Sequence, residues 1–230
     1  MIKAERVLES TGQAAVEFGG VEKAPAPLGG ALKRALDIVV AGTALLVLWP
    51  LMLMVMLTIR LTDPGPVIFG HERIGFNGRR FRCKKFRSMV TNADVALQRL
   101  LERDPAAAQE WAETQKLRND PRITRIGRIL RETSLDELPQ LWNVLKGEMS
   151  IVGPRPIVNA EVRRYAQSFD AYVATRPGIT GLWQVTGRSD CSYDERVALD
   201  VDYVRNWSIW RDIAIIAKTF HAVLARKGSY

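Results

Sequence analysis

No charged residue occurs between Ile38 and Ile59, and this run is the strongest constraint on the fold. Roughly 22 residues at about 1.5 Å rise each make about 33 Å of helix, enough to cross the hydrocarbon core of a bilayer. The run is apolar on every face, more than a surface helix of a soluble protein needs; a buried core helix is the bland alternative. Pro50 sits near the middle. It cannot donate a backbone hydrogen bond, and it biases Trp49 away from helical angles. Lys33 and Arg34 precede the run and Arg60 follows it, so the positive-inside rule names no outer end. A helix broken at Pro50 and basic at both ends suits a re-entrant hairpin that enters and leaves on the cytoplasmic side. A kinked single span is the alternative. Asp63-Pro64-Gly65-Pro66 then stops any helix.

The charge balance points to the partner. Lys and Arg exceed Asp and Glu by 8, and the pI is about 9.8, which favours anions: nucleic acid, phosphorylated small molecules or lipid headgroups. Only Cys83 and Cys191 are present, far apart; they make neither a disulfide framework nor a metal cluster, and a reducing compartment fits them. His71 and His221 are equally isolated. Residues 1–30, rich in Ala, Gly, Glu and Pro, read as a flexible arm, with the apolar core too far in for a signal peptide.

Beyond the helix, Val67-Ile68-Phe69 reads as a strand, Asn77-Gly78 as a turn and Phe81 to Met89 as a return segment. Seven basic residues crowd this unit, among them Lys85 and Arg87; attraction to headgroups and phosphate binding are both open. Helical patterns run from Ala93 to Arg103 and from Pro105 to Lys116. Asp104-Pro105 and Asp120-Pro121 are start signals. Ile123, Ile126, Ile129 and Leu130 share a face beside Arg122, Arg125, Arg128 and Arg131. Ile209, Trp210, Ile213, Ile216 and Phe220 make a second apolar face. Each suits an amphipathic helix lying on a bilayer, or an ordinary core-facing one.

The densest chemical signal is RETSLDELPQLWNVLKGEMSIVGPRP, from Arg131 to Pro156. Pro139 to Lys146 makes a short helix, closed by Gly147. Asp136 and Glu137 lie at its start, where unpaired amides and the helix dipole favour an ionised carboxylate. A capping box from Ser134 to Glu137 is the structural alternative, weakened by Pro139, which in that register removes an intrahelical bond. Pro154 and Pro156 hold Arg155 in extended backbone, either presenting a guanidinium to phosphate or acting as a stiff connector. Arg176 to Arg188 reads as strands and turns around Trp183, either a polar ligand site or a plain hairpin.

Together, the Pro-broken helix, KKFRSM (Lys84 to Met89), DPRITRIGRILRETSLDELPQLWNVLKGEMSIVGPRP (Asp120 to Pro156) and RPGITGLWQVTGR (Arg176 to Arg188) resemble the bacterial sugar transferases, the monotopic phosphoglycosyl transferases, in their exopolysaccharide-initiating form. The resemblance runs from Lys33 to near the C-terminus. It implies an α+β, mostly helical, monotopic membrane protein: a re-entrant helix over 31–62, interfacial amphipathic helices and a small cytosolic α/β part within a catalytic domain over 63–230. It implies transfer of hexose-1-phosphate, galactose being the favoured sugar, from a UDP-sugar to undecaprenyl phosphate. UMP is released, at the cytoplasmic face of the bacterial inner membrane. Asp136 is then the nucleophile of a covalent intermediate, and Glu137 either helps hold Mg²⁺ or steers the incoming phosphate, Asp136 and Glu137 being the candidate Mg²⁺ ligands. Lys85, Arg87, Arg131, Arg155, Arg176, Gln184 and Arg188 are the substrate- and phosphate-binding candidates. The partners are the UDP-sugar, the polyprenyl phosphate and membrane lipids, with no nucleic acid and room for a homo-oligomer. Trp49 departs from the small polar residue that many family members carry before the helix-breaking proline. The rivals are a basic membrane protein that binds nucleic acid and a non-catalytic scaffold. The first gives no reason for an acidic pair among arginines, and the second expects Asp136→Asn to change nothing enzymatic.

Overall fold

The computed structural model describes residues 24–114, 117–186 and 191–224. Most of these are helical, with a few short strands. The expected arm lies largely outside the described residues. Its last part, Ala24 to Gly29, is docked: Asn77 exchanges two hydrogen bonds with the backbone of Ala24, and Leu28 N donates to Ala174 O.

Helix α1 spans Gly30–Thr62, with Pro50 inside it rather than between two helices. Losing one amide donor is tolerable where the neighbouring turns stay bonded. It is long and apolar enough to cross a membrane. Its buried positions fall in two sets on one body. Lys33, Asp37 and Ala41, spaced by four, face the core near the N-terminal end; Met52, Val55 and Ile59 face it near the other. Between them Leu46 is 81% exposed, and Val47 and Trp49 are exposed too.

Strands β1 (Ile68–Ile74) and β2 (Arg80–Phe86) form an antiparallel hairpin, with Ile68 opposite Phe86 and Ile74 opposite Arg80. Asn77 (φ 54°) and Gly78 (φ 73°) take the left-handed angles its turn needs. Helices α2 (Ala93–Arg103) and α3 (Pro105–Thr114) follow, the second capped by Asp104, whose Oδ1 accepts from the amides of Ala106 and Ala107. Then come α4 (Arg125–Glu132), a 3₁₀ turn over Leu135–Glu137, α5 (Gln140–Lys146) and β3 (Ser150–Val152). The rest comprises α6 (Val162–Tyr165), α7 (Phe169–Val173), β4 (Gly178–Thr180), α8 (Leu182–Thr186), α9 (Tyr193–Arg205) and α10 (Ile209–Leu224).

The segment expected as strands and turns is therefore half helix, and β4 pairs in parallel with β3, not in a hairpin. The pairing depends on a backbone crossing: a Cβ on Gly178 would sit 2.1 Å from Gly153 N. Three apolar clusters make the core. One joins α1, β2, α5, β3 and α10 through Ala41, Cys83, Val144, Val152 and Ile215. A second packs Ile74 against Tyr165, Tyr172 and Val197. The third sets Phe86 and Leu130 against Met52, Val55 and Ile59. Phe86 and Leu130 are each 1% exposed, which stabilises the fold by about 2–3 kcal/mol apiece.

Candidate active site

Asn143, in the apolar run of α5, is fully buried. Its Nδ2 donates to Arg82 O at 2.8 Å and to Glu148 Oε2, and its Oδ1 accepts from Lys84 N at 3.0 Å. One side chain thus ties β2 to α5. Lys85, one residue further on, is carried to the turn that precedes α5. Its Nζ lies 2.6 Å from Glu137 Oε1 and 3.7 Å from Asp136 Oδ2.

The turn itself is made by Ser134, in the left-handed region at φ 56°, with no side-chain cap. The capping box does not form. That backbone reversal leads into Leu135–Glu137, and Pro139 becomes the N-cap of α5. On the other side, α4 presses against the end of β2: a Cβ on Gly127 would meet Ser88 O at 1.9 Å. This approach lets Arg131 Nε donate to Ser88 Oγ at 2.9 Å, and the Arg131 charge acts on Asp136.

Burial holds the Asp136 carboxyl above its ordinary range; Lys85 opposes this, the like charge of Glu137 reinforces it, and Arg131 and a backbone amide oppose it. This is the reverse of the direction expected from a helix N-terminus. Asp136 is 7% exposed and lies on the 3₁₀ turn, where desolvation outweighs the dipole. Cys83 lies on the same face of β2 as Lys85. Its thiol is pushed up to about 11 by burial; Lys85 and Arg73 oppose this, Glu137 adds to it, and Arg155 opposes it. The charges of Lys85, Arg73, Glu137 and Arg155 thus all act on the buried Cys83 thiol.

The other candidates scatter. Arg155 is exposed between buried Pro154 and Pro156, braced by Arg73, which donates to Pro156 O at 3.2 Å. Arg87 is buried and turned away, bound to the Asp63 carbonyl and 3.4 Å from its carboxylate. There it closes the turn after α1. Arg176 donates to Gly147 O at 2.8 Å and, with Arg34 on Val144 O and Leu145 O, satisfies the C-terminal carbonyls of α5. Gln184 Nε2 bonds Ile179 O. Arg188 lies outside the described residues. The sequence reading missed Asn143 and Arg73; a lone Asn inside an apolar helical run was the available signal. It also missed Asp200, Arg196 and Tyr193, which line a cleft beside Arg155.

Among the described residues no three His, Cys, Asp or Glu side chains cluster as a metal centre. The pair Asp136 and Glu137 still fits Mg²⁺ in kind. Two carboxylates completed by substrate phosphate and water form the oxygen donor set this ion takes.

A family model described as bacterial sugar transferase matches residues 28–226. The chain belongs to the bacterial sugar transferase family. It is 54% identical over 199 residues to a UDP-galactose-lipid carrier transferase of Erwinia amylovora, a match covering 86% of this chain and 42% of that protein. It is 50% identical over 204 residues to the exopolysaccharide production protein ExoY of Sinorhizobium fredii, covering 89% of this chain and 90% of that one. A UDP-glucose:undecaprenyl-phosphate glucose-1-phosphate transferase of Escherichia coli is 40% identical over 228 residues, covering 93% of this chain and 46% of the relative. The chain thus spans nearly all of one relative and under half of the other two.

Proposed function

We propose that this protein transfers hexose-1-phosphate from a UDP-sugar to undecaprenyl phosphate, releasing UMP, as the first membrane step of exopolysaccharide synthesis. The observation that carries the reading is the buried carboxylate Asp136 beside Glu137, under Lys85 and Arg131. The names of the relatives supply the substrates. We assign galactose because the Erwinia relative, named for galactose, is 54% identical and the Escherichia relative, named for glucose, is 40%.

In this mechanism an Asp136 oxygen attacks the phosphorus that bears the sugar, and UMP departs with the electrons of the broken P–O bond. An oxygen of the polyprenyl phosphate then attacks the same phosphorus and Asp136 leaves. One carboxylate serves both substrates in turn. Burial strips water from Asp136 and so raises its nucleophilicity, while Lys85, Arg131 and Arg155 offset the repulsion between anions. Mg²⁺ held by Asp136 and Glu137 would supply further neutralisation of phosphate charge.

A polyprenyl chain is insoluble in water, so the reaction belongs at headgroup height. Helix α1 fits a monotopic placement, because both of its ends bury residues against one body while Leu46, Val47 and Trp49 stay bare. A single crossing would carry one end away from the body. The cytoplasmic face of the inner membrane is where nucleotide sugars meet this lipid.

The test is UMP release from a panel of UDP-sugars with polyprenyl phosphate, by wild type and Asp136→Asn. The variant is expected to lose about a thousandfold in rate. With the acceptor withheld, mass spectrometry is expected to find a phosphosugar on Asp136. Equal release by the variant would sink the mechanism.

A further inference from the structure

Among the described residues, strand β2 pairs with β1 on one edge and with no strand on the other. The peptide groups on that second edge need another partner, and Asn143 supplies it. A side-chain amide carries the same donor and acceptor as a peptide group. Its Nδ2 donates to Arg82 O at 2.8 Å, and its Oδ1 accepts from Lys84 N at 3.0 Å. These are the two bonds that a residue of a third strand would make on either side of Cys83. Nδ2 also donates to Glu148 Oε2, which fixes the way the amide points. Asn143 is fully buried, so water does not compete for it.

We propose that Asn143 is a positioning residue of the transferase reaction: by standing in for a third strand it sets the place of β2 against α5, and so holds Lys85 at the acidic pair. The inference rests on the transferase reading above and adds to it a residue too buried to touch substrate. The chain of contacts is short. Lys84 N is bonded to Asn143, Lys85 comes next, and Lys85 Nζ lies 2.6 Å from Glu137 Oε1 and 3.7 Å from Asp136 Oδ2. The other side of the frame is as short. Helix α5 starts at Gln140, capped by Pro139, directly after the turn that carries both carboxylates, and Asn143 stands in its first turn. One amide thus joins the element that carries the lysine to the element that carries the acids. Cys83, Leu141 and Val144 also pack these two elements in one apolar cluster. Such packing is non-directional and does little to stop the strand from sliding along the helix; the two hydrogen bonds do stop it. A slide of one residue is about 3.3 Å, enough to break the contact between Lys85 and Glu137.

The test is a double-mutant cycle on the full chain in nanodiscs, reading UMP release from UDP-galactose with undecaprenyl phosphate. Asn143→Ser is expected to lower kcat/KM by roughly tenfold to a hundredfold, as small misplacements of a catalytic group do. Made on top of Lys85→Met, the same substitution is expected to cost less than about threefold, because the group it positions is gone. An equal loss in both backgrounds means that Asn143 only supports the fold, and overturns the proposal. Hydrogen exchange resolved to single amides needs no variant. In wild type the Lys84 amide is expected to exchange at least about a hundredfold more slowly than a free amide. Exchange at the free rate means that Asn143 does not hold this edge of β2, and overturns the proposal as well. The transferase reading fails separately, if wild type itself releases no UMP.

Discussion

Two lysine–carboxylate clusters sit at opposite ends of the first core. At the N-terminal end of α1, Lys33 Nζ lies 2.6 Å from Asp212 Oδ2; at the candidate active site, Lys85 Nζ lies 2.6 Å from Glu137 Oε1. The distances match and the surroundings differ. The Lys33 and Asp212 side chains are 4% and 0% exposed, whereas those of Lys85 and Glu137 are each 34% exposed. The Lys33–Asp212 pair is also more fully bonded. Lys33 donates to Tyr203 OH, and Tyr203 OH and Trp207 Nε1 donate to Asp212. Nearby, Asp37 Oδ1 accepts from Ser150 Oγ and Ile151 N, while its Oδ2 is buried without a partner. The second is under-committed: one lysine is shared between two carboxylates, one of them buried. A buried, well-bonded pair fixes a helix, and a half-open pair with capacity left over can meet a substrate.

The sharpest way to break this comparison is to exchange the effects. Asp136→Asn is expected to slow UMP release by about a thousandfold and leave the melting temperature unchanged. Lys33→Met strands the Asp212 charge in the interior, which costs about 3–5 kcal/mol and lowers Tm by roughly 10 °C or more. Thermal melts and UMP release on both variants decide it. If Lys33→Met melts like wild type, its cluster does not hold α1 to the body.

A smaller effect separates the two lysines by pH. Burial raises the Asp136 pKa and Lys85 opposes it. Asp136 must be ionised to attack, so activity falls as pH drops through its folded value. Lys85→Met removes the opposing charge, and the acid limb of the rate profile is expected to move to higher pH, besides any loss of rate. An unmoved limb would mean that Lys85 serves only the phosphates or Glu137.

What was legible in the sequence follows the same division. Signals that act within a few residues came through: the uncharged stretch of α1, the Asp104 cap, the Asn77-Gly78 turn and the stop at Gly147. The site needs contacts far apart in sequence. Lys85 and Glu137 are separated by 52 positions, and no local pattern says which arginine in a basic stretch finds a phosphate and which finds a carbonyl. Arg87 and Arg176 looked like ligands of the site and instead close the backbone at Asp63 and Gly147. Ser134 matched a capping box by spacing, but its left-handed backbone turns the chain so that Asp136 is buried, a tertiary outcome that propensity does not encode. The parallel pairing of β4 with β3 was hidden for the same reason, since it depends on the close backbone approach between Gly153 and Gly178.

Asp200 completes the comparison, because it is buried like Asp212 yet, like Asp37, keeps one oxygen unpaired. Its carboxyl is pushed up to about 7 by burial, against the opposing effects of the Tyr165 hydrogen bond and the Arg155 charge. Between the ordinary carboxylate pKa of about 4 and this raised value, the folded protein keeps a proton that the unfolded chain has released. The unfolded state then binds fewer protons, so stability falls as pH rises through that window and levels off above about pH 7. The slope approaches at most about 1.4 kcal/mol per pH unit. Asp200→Asn cannot titrate, and it is expected to lose less Tm than wild type between pH 5 and pH 7.5. Equal losses would mean that Asp200 titrates like an exposed carboxylate, and that it belongs with neither cluster. A smaller loss places a third kind of carboxylate in this fold, buried enough to resist ionisation and left with one oxygen unpaired.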